Sequence, residues 1–308
     1  MLTEAIAADA TGIARAVALL SEGGIVALPT ETVYGLAGDA TRADAVAAIY
    51  AAKGRPGFNP LIVHVANLAA AERLVDLNTT ARDLADRYWP GPLTLVLPAR
   101  GGNGIAPGVT GGLPTLAIRV PAHPVMGAIL TALRRPLAAP SANASGTISP
   151  TTAAHVAASL GGRIPLIVDG GATSGGLEST IVRVDGDRVS LLRPGGIPAD
   201  LLGINAETAA GIAAPGQLAS HYAPTQPLRL GATSAETGEY LIGFGPVIGD
   251  ITLSATGDLT EAAAALFAAL HTAQTSGAVR IAVAPVPQTG IGAAINDRLR
   301  RAAAPRQR

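Results

Sequence analysis

The chain has 308 residues, of which 48% are hydrophobic, and its formal net charge is zero. It is long enough for two globular domains, and its charge balance argues against a broad nucleic-acid-binding surface. Cysteine is absent, which excludes disulfides, thiolate metal sites and cysteine nucleophiles. Because no secretory leader or long apolar segment is found, we expect a cytoplasmic protein without membrane contact.

The first two hundred residues alternate helical and strand patterns. Residues 11–24 have the period of an amphipathic helix that ends at Gly23, and the buried strand IVALPT follows. A second helix is predicted to begin at Thr41, with Asp44 as its capping-box partner, and to end at Lys53. Later helices are predicted over residues 67–75, 80–88, 124–133 and 151–160.

Short β-rich runs lie between and after these helices: LIVHV, LTLVLP, LAIRV, LIVDG, STIVRV and SLLRP. The last two are joined by Asp185, Gly186 and Asp187, a turn typical of a hairpin. A hairpin within an α/β pattern predicts a mixed sheet, so we expect an α/β domain over residues 1–203.

The remaining residues predict a linker and a second domain. Residues 204–227 are rich in alanine, proline and glycine, as linkers are. Residues 228–308 contain the strand runs YLIGF and RIAVAPV and two helical patterns, which predict a smaller α/β domain. Five arginines follow Asp297, and we interpret them as a solvated helix end rather than an RNA contact.

Polar side chains gather where predicted strands end, which is where ligands usually bind. The loop PTETVYGL, taken alone, is more often a hydrogen-bonded turn than a binding loop. KGRPGFNPL holds Lys53, the only lysine of the chain, together with Arg55 and Asn59. Such a group suits a polyphosphate, although a lone pair of cations is more often a solvated helix end. APSANASGTISPTT adds Ser141 and Ser149 as donors for phosphates or a nucleobase.

Two polar residues interrupt apolar strands, His64 in LIVHV and Arg119 in LAIRVP. A strand histidine is most often a hydrogen-bonded core residue, but a buried arginine is costly unless it meets an anion. Together they predict a site for the carboxylate of a small acid. Walker, dinucleotide, zincin and α/β-hydrolase motifs are absent, so catalysis would orient reactants and stabilise charge without a protein nucleophile.

Six motifs, PTETVYGL, KGRPGFNPLIVHV, LAIRVP, PSANASGTISPT, ESTIV and LLRPG, resemble the YrdC/Sua5 family in order and spacing. SHYAP and TGIGAAINDRLRRAA resemble its Sua5 subtype, which carries a second domain. The resemblance implies a YrdC-like mixed twisted sheet flanked by helices and a smaller C-terminal Rossmann-like domain. It also implies an L-threonylcarbamoyladenylate synthase, which converts L-threonine, bicarbonate and ATP, with Mg²⁺, into threonylcarbamoyl-AMP and pyrophosphate at the first step of tRNA t6A37 biosynthesis.

The resemblance also implies which residues bind the substrates. L-threonine would be surrounded by Thr32, His64, Arg119, the Ala139 backbone and Ser179. ATP would be held by Lys53, Arg55, Asn59, Thr115, Ser141, Ser149, Arg193 and Tyr222, the last reaching back from the linker. Lys53 and Arg55, with Mg²⁺, would screen the charge of the α-phosphate and so act as the catalytic residues. No metal ligands from the protein are expected.

Several alternatives stay open. The chain could be a binding module for double-stranded RNA or tRNA without turnover, or an enzyme that transfers carbamoyl groups from carbamoyl phosphate. A synthase would pass its product to a tRNA threonylcarbamoyl transferase complex, and a weak tRNA contact would be compatible with that. No residue stands out as a general base, and His64 is the nearest candidate.

Overall fold

The structure, a computed structural model, describes residues 2–204 and 220–305. In the first range ten strands form one sheet: β1 Glu4–Ala7, β2 Val26–Leu28, β3 Gly35–Asp39, β4 Ile62–His64, β5 Leu93–Pro98, β6 Thr115–Arg119, β7 Leu137–Ala138, β8 Leu166–Asp169, β9 Thr180–Asp185 and β10 Arg188–Arg193. The helices of this range are α1 Ala10–Ser21, α2 Ala43–Lys53, α3 Leu68–Glu72, α4 Thr79–Tyr88, α5 Pro124–Leu133 and α6 Ala153–Leu160.

The large sheet is mixed, with the strand order β1-β8-β2-β3-β7-β4-β6-β5-β9-β10. The pairs β1 with β8, β2 with β8, β4 with β6 and β5 with β9 are parallel, and the other neighbours are antiparallel. This confirms the predicted mixed sheet, including the β9–β10 hairpin. The central strands are buried on both faces, which is why they appear in the sequence as continuous apolar runs.

The second range forms a smaller domain around a four-stranded sheet. Its elements are β11 Leu228–Leu230, β12 Glu239–Gly243, β13 Ile251–Thr252, α7 Leu259–Thr275, β14 Arg280–Val283 and α8 Gly292–Ala303. The strand order is β11-β14-β12-β13 and every pair is parallel, which confirms the predicted Rossmann-like architecture. Residues 205–219 of the predicted linker lie outside the described residues.

Two local predictions for the first domain are wrong. Helix α2 begins at Ala43, and its N-cap residue Arg42 makes no capping hydrogen bond. The Thr41 hydroxyl instead donates to Asp39 at 2.7 Å, and Asp44 pairs with Arg42. Strand β3, which begins at Gly35 within PTETVYGL, was not expected because its sequence GLAGD lacks β-branched and aromatic residues. Burial of every residue in β3 overrides that weak propensity.

The interpretation of the C-terminal arginines as a solvated helix end is also wrong. Arg298 is completely buried, and its Nε donates to Glu178 of the first domain at 2.8 Å. Arg301 is partly buried, whereas Arg300 is exposed. The face of α8 that carries Arg298 packs against the first domain, so only part of the cluster meets solvent. The other two arginines of the cluster, Arg306 and Arg308, lie outside the described residues.

The two domains share part of one apolar core. Val33, Ile148 and Leu177 of the first domain belong to the same buried cluster as Phe267 and Leu270 of α7. Because these residues are buried against one another, the contact between the domains contributes to the free energy of unfolding of the chain. Within the described ranges, no helix combines the length and apolar character needed to cross a bilayer.

Replacement of Gly176 tests this close packing. Gly176 has φ +67°, and a Cβ there would lie 2.5 Å from backbone atoms of Ala263 and Ala264 in α7. Gly186, in the β9–β10 turn, has φ +57° but open space around it. Each alanine variant loses about 1 kcal/mol from the left-handed backbone. We expect Gly176→Ala to lose at least about 1 to 3 kcal/mol more in urea denaturation because it also overpacks the interface. Equal losses would contradict the tight interdomain contact.

Candidate active site

A cavity opens at the strand ends of the large sheet and is closed on its other side by residues of the predicted linker. Nine of the residues predicted from the sequence line it: Thr32, Arg55, His64, Arg119, Ala139, Ser141, Ser179, Arg193 and Tyr222. Glu178 and His221 line it too, although the sequence did not single them out. The structure leaves Lys53, Asn59, Thr115 and Ser149 outside the lining.

Arg119 is held at one end of the cavity by three contacts. Its Nε donates to the Gly91 carbonyl and its Nη1 to Thr32 Oγ1, both at 3.0 Å. Its Nη2 forms an ion pair with Glu31 at 2.6 Å. His64 lies beside it, because β4 and β6 are parallel and the two residues are in register. The arginine fork is therefore rigid and directly next to a histidine at the cavity wall.

His64 is uncharged near neutral pH. Burial, followed by the neighbouring Arg119, lowers its pKa to about 3, and Glu31 offsets only part of this effect. Its Nδ1 has no hydrogen-bond partner among the described residues. An imidazole with so low a pKa holds a proton too weakly to act as a general base near neutral pH. Its chemistry here is that of a neutral hydrogen-bonding group.

Lys53 lies behind the loop that follows β7. Its Nζ donates to the carbonyls of Ser141 and Asn143, both at 2.5 Å, and its own carbonyl accepts from the Ser145 amide at 2.8 Å. Burial, and then the charge of Arg55, lower the pKa of Lys53 well below its ordinary value. In this structure the lysine fixes the loop that presents Ser141, and its ammonium does not line the cavity.

Arg55 is the cation of the KGRPGFNPL segment that does reach the cavity. Its Nε donates to the Asn59 carbonyl at 3.2 Å and its Nη2 to the Pro60 carbonyl at 3.0 Å. Burial lowers its pKa to about 10, so it remains protonated at neutral pH. The Asn59 side chain is buried with no hydrogen-bond partner in the described part of the chain. Thr115 lies apart from them, at the start of β6.

Arg193, at the end of β10, contacts Ser179, which precedes β9. Arg193 Nη2 donates to the carbonyl of Ser179 at 2.7 Å and to its Oγ at 3.2 Å. The Ser179 hydroxyl also shares a hydrogen bond with Thr94 at 2.7 Å. This arrangement arises because β9 and β10 form a hairpin that places the end of one strand beside the start of the other. A predicted ATP ligand therefore touches a predicted threonine ligand.

Glu178 is a functional candidate that the sequence analysis missed. Its Oε1 accepts from Ser149 Oγ at 2.5 Å, and its Oε2 accepts from Arg298 Nε at 2.8 Å. Burial alone would raise its pKa, but Arg298 and Arg193 outweigh burial, so the pKa is lowered and the group stays a carboxylate. The signal was present as the acidic first residue of ESTIV. Ser149 is thus linked to the cavity through Glu178.

His221 and Tyr222 close the cavity from the side of the second domain. Their rings are 4.1 Å apart, and Tyr222 adopts φ +63°, in the left-handed region that is rare for tyrosine. The next amide, of Ala223, donates to the Gly146 carbonyl at 2.9 Å. Burial lowers the pKa of His221 to about 3. The segment is therefore pinned over the cavity in a fixed backbone conformation.

Comparison with known proteins gives one consistent result. Residues 18–195 match the Sua5_yciO_yrdC family, described as "Telomere recombination", and residues 193–304 match "Threonylcarbamoyl-AMP synthase, C-terminal domain". The chain is 40% identical to the threonylcarbamoyl-AMP synthase of Bacillus subtilis, over 98% of this chain and 96% of that protein. It is 39% identical to the protein of the same name from Pyrococcus abyssi, over 93% and 92% of the two chains. The crystal structure of P. abyssi Sua5 complexed with L-threonine superposes with a TM-score of 0.89, at 37% identity over 98% of both chains.

The low pKa of His64 predicts a pH dependence of stability. Because the folded pKa of about 3 lies below the ordinary value of 6.5, the unfolded chain binds the proton more tightly, and stability falls as the pH drops below 6.5. Between about pH 7 and pH 5 this group should account for a loss of about 2 kcal/mol. In denaturant titrations at pH 7 and pH 5, the free energy of unfolding of His64→Gln should fall by about 2 kcal/mol less than that of the wild type.

The variant His123→Gln is the control for this measurement, because His123 is only partly buried. It should change the pH dependence less than His64→Gln does. Parallel stability curves for the wild type and His64→Gln would contradict a neutral, buried His64.

Proposed function

The chain belongs to the Sua5/YciO/YrdC family, and we propose that it is an L-threonylcarbamoyladenylate synthase. It converts L-threonine, bicarbonate and ATP into threonylcarbamoyl-AMP and pyrophosphate, the first step of t6A37 formation in tRNA. The observation that carries the proposal is the similarity to the Bacillus subtilis threonylcarbamoyl-AMP synthase over 98% of this chain. The cavity supports it, because cationic side chains line both of its ends.

We assign the Arg119 end of the cavity to L-threonine. A guanidinium fork fixed by Gly91 and Thr32 suits a carboxylate, which would share the cation with Glu31. The neutral His64 beside it can donate or accept a hydrogen bond without adding charge. Ser179 and the Ala139 backbone complete this end. Such a site orients the amino group rather than activating it by proton transfer.

We assign the Arg55 end to the triphosphate of ATP. Arg55 and Arg193 line the cavity, and Lys53 fixes the loop that presents Ser141. In the proposed reaction the threonine amine first forms a carbamate with bicarbonate, with loss of water. A carbamate oxygen then attacks the α-phosphorus, and pyrophosphate leaves. The two guanidiniums screen the phosphate charges that would otherwise repel this anion.

We propose that Mg²⁺ enters together with ATP. Within residues 2–204 and 220–305, no group of three or more His, Cys, Asp or Glu side chains could hold a metal. The ion would therefore be held mainly by phosphate oxygens and water, which is common for Mg²⁺. When bound, it would neutralise phosphate charge alongside the arginines.

The same proposal includes a cytoplasmic reaction and transfer of the product to a tRNA threonylcarbamoyl transferase complex. A tRNA contact through the C-terminal arginines receives less support, since Arg298 is buried and Arg301 pairs with Asp297 at 3.1 Å. An RNA module without turnover would bind with a strong salt dependence and leave ATP intact. A carbamoyl transferase would instead consume carbamoyl phosphate without bicarbonate.

Kinetics of two arginine variants test this assignment. Arg119→Lys keeps a charge opposite Glu31 but loses the fork, so it should raise the KM for threonine at least about tenfold and leave that for ATP within about twofold. Arg55→Ala should raise the KM for ATP at least about tenfold and leave that for threonine within about twofold. The measurement is incorporation of labelled bicarbonate into threonylcarbamoyl-AMP while each substrate is varied.

The control is Arg188→Ala, which removes an exposed arginine from the β9–β10 hairpin and should leave both KM values unchanged. If Arg119→Lys and Arg55→Ala change both KM values equally, the assignment of separate threonine and ATP ends is wrong.

A further inference from the structure

The last helix of the second domain places one arginine against Glu178, which lines the cavity. Arg298 is completely buried, and its guanidinium makes three hydrogen bonds. Nε donates to Glu178 at 2.8 Å, Nη1 to Asp297 at 2.7 Å and Nη2 to the Pro194 carbonyl at 2.9 Å. Glu178 and Pro194 belong to the first domain, and Asp297 belongs to α8. One planar group therefore joins the two domains beside the cavity.

The first consequence concerns the side of the cavity assigned to ATP. The Glu178 carboxylate lines the cavity, and it binds Arg298 with one oxygen and the hydroxyl of Ser149 with the other. Because a buried carboxylate needs a partner for each oxygen, Arg298 determines how this side chain is oriented. The orientation of Glu178 in turn fixes the Ser149 hydroxyl, which is one of the predicted ATP ligands.

The second consequence concerns Tyr222. The guanidinium carbon of Arg298 lies 5.1 Å from the centre of the Tyr222 ring, within cation–π range. The hydroxyl of Tyr222 is buried and has no hydrogen-bond partner among the described residues. The backbone here is also tied to α8, since the His221 amide donates to the Arg301 carbonyl at 3.2 Å. The closing segment therefore rests on the same helix that orients Glu178.

We propose that Arg298 is a positioning residue for the ATP side of the active site, acting through Glu178 and Tyr222. The second domain thereby contributes a residue that orients part of the catalytic site. The inference rests on the proposed function for the identity of the nucleotide. On the threonine side, Arg119, Thr32 and His64 make none of the contacts of Arg298.

The test is equilibrium binding of ATP and of L-threonine to the full chain, measured by calorimetry without turnover. Arg298→Lys keeps the positive charge that Glu178 needs, so the buried carboxylate is not left unpaired. The lysine ammonium cannot reach the three acceptors of Arg298 at once, so the orientation of Glu178 is no longer fixed. We expect its Kd for ATP to rise about tenfold and its Kd for threonine to stay within about twofold. Arg298→Met should weaken ATP binding further. Arg300→Lys and Arg300→Met, on the exposed face of α8, are the matched controls.

The outcomes separate positioning from mere stabilisation. A structural role alone would lower the folded fraction and leave the Kd of the folded protein unchanged for both ligands. Wild-type ATP affinity in folded Arg298→Lys, or equal weakening of ATP and threonine binding, would therefore overturn the inference. Failure of the proposed function would appear differently, as a wild-type protein that binds no ATP or forms no product.

Discussion

Burial of positive charge is the constraint on which the site depends. Five cationic side chains around the cavity are each less than a tenth exposed: Lys53, Arg55, Arg119, Arg193 and Arg298. Each has exchanged water for fixed acceptors, because a buried charge without partners is very costly. Backbone carbonyls supply most of these acceptors. The carboxylates of Glu31, Glu178 and Asp297 and the hydroxyls of Thr32 and Ser179 supply the rest. Since these five cationic side chains meet only three carboxylates, the region around the cavity keeps an excess of positive charge that suits anionic reactants.

The mixed sheet explains why these acceptors converge. Parallel pairing of β4 with β6 places His64 beside Arg119, and the β9–β10 hairpin places Arg193 beside Ser179. Loops rich in proline and glycine then turn their carbonyls toward the cations. The second domain adds what the sheet cannot reach, since α8 delivers Arg298 to Glu178 and holds the segment that contains Tyr222. The site is thus shared between two domains with a common apolar core.

Much of this was predictable from the sequence, because the information is local. Apolar runs bounded by glycine and proline predict the strands, and polar residues in and after them predict part of the cavity lining, including Arg55, His64, Arg119 and Ser141. Ala139, Ser179, Arg193 and Tyr222 were assigned through the resemblance to the family. The Glu178–Arg298 pair was not predictable, since it joins residues far apart in sequence and the arginine lies in a run that normally meets solvent. The orientation of Lys53 was missed for a related reason. Its acceptors are backbone carbonyls of a loop distant in sequence, and every residue has a backbone carbonyl, so the sequence does not indicate which ones accept.

The most direct test of the central claim is release of pyrophosphate from ATP by the purified wild-type chain, with threonine and bicarbonate each omitted in turn. A cationic cavity that holds ATP beside the carbamate formed from threonine and bicarbonate predicts release only when threonine and bicarbonate are both present. Release of pyrophosphate without threonine, or none under any condition, would contradict the account. The second result would direct attention to RNA binding across a salt series.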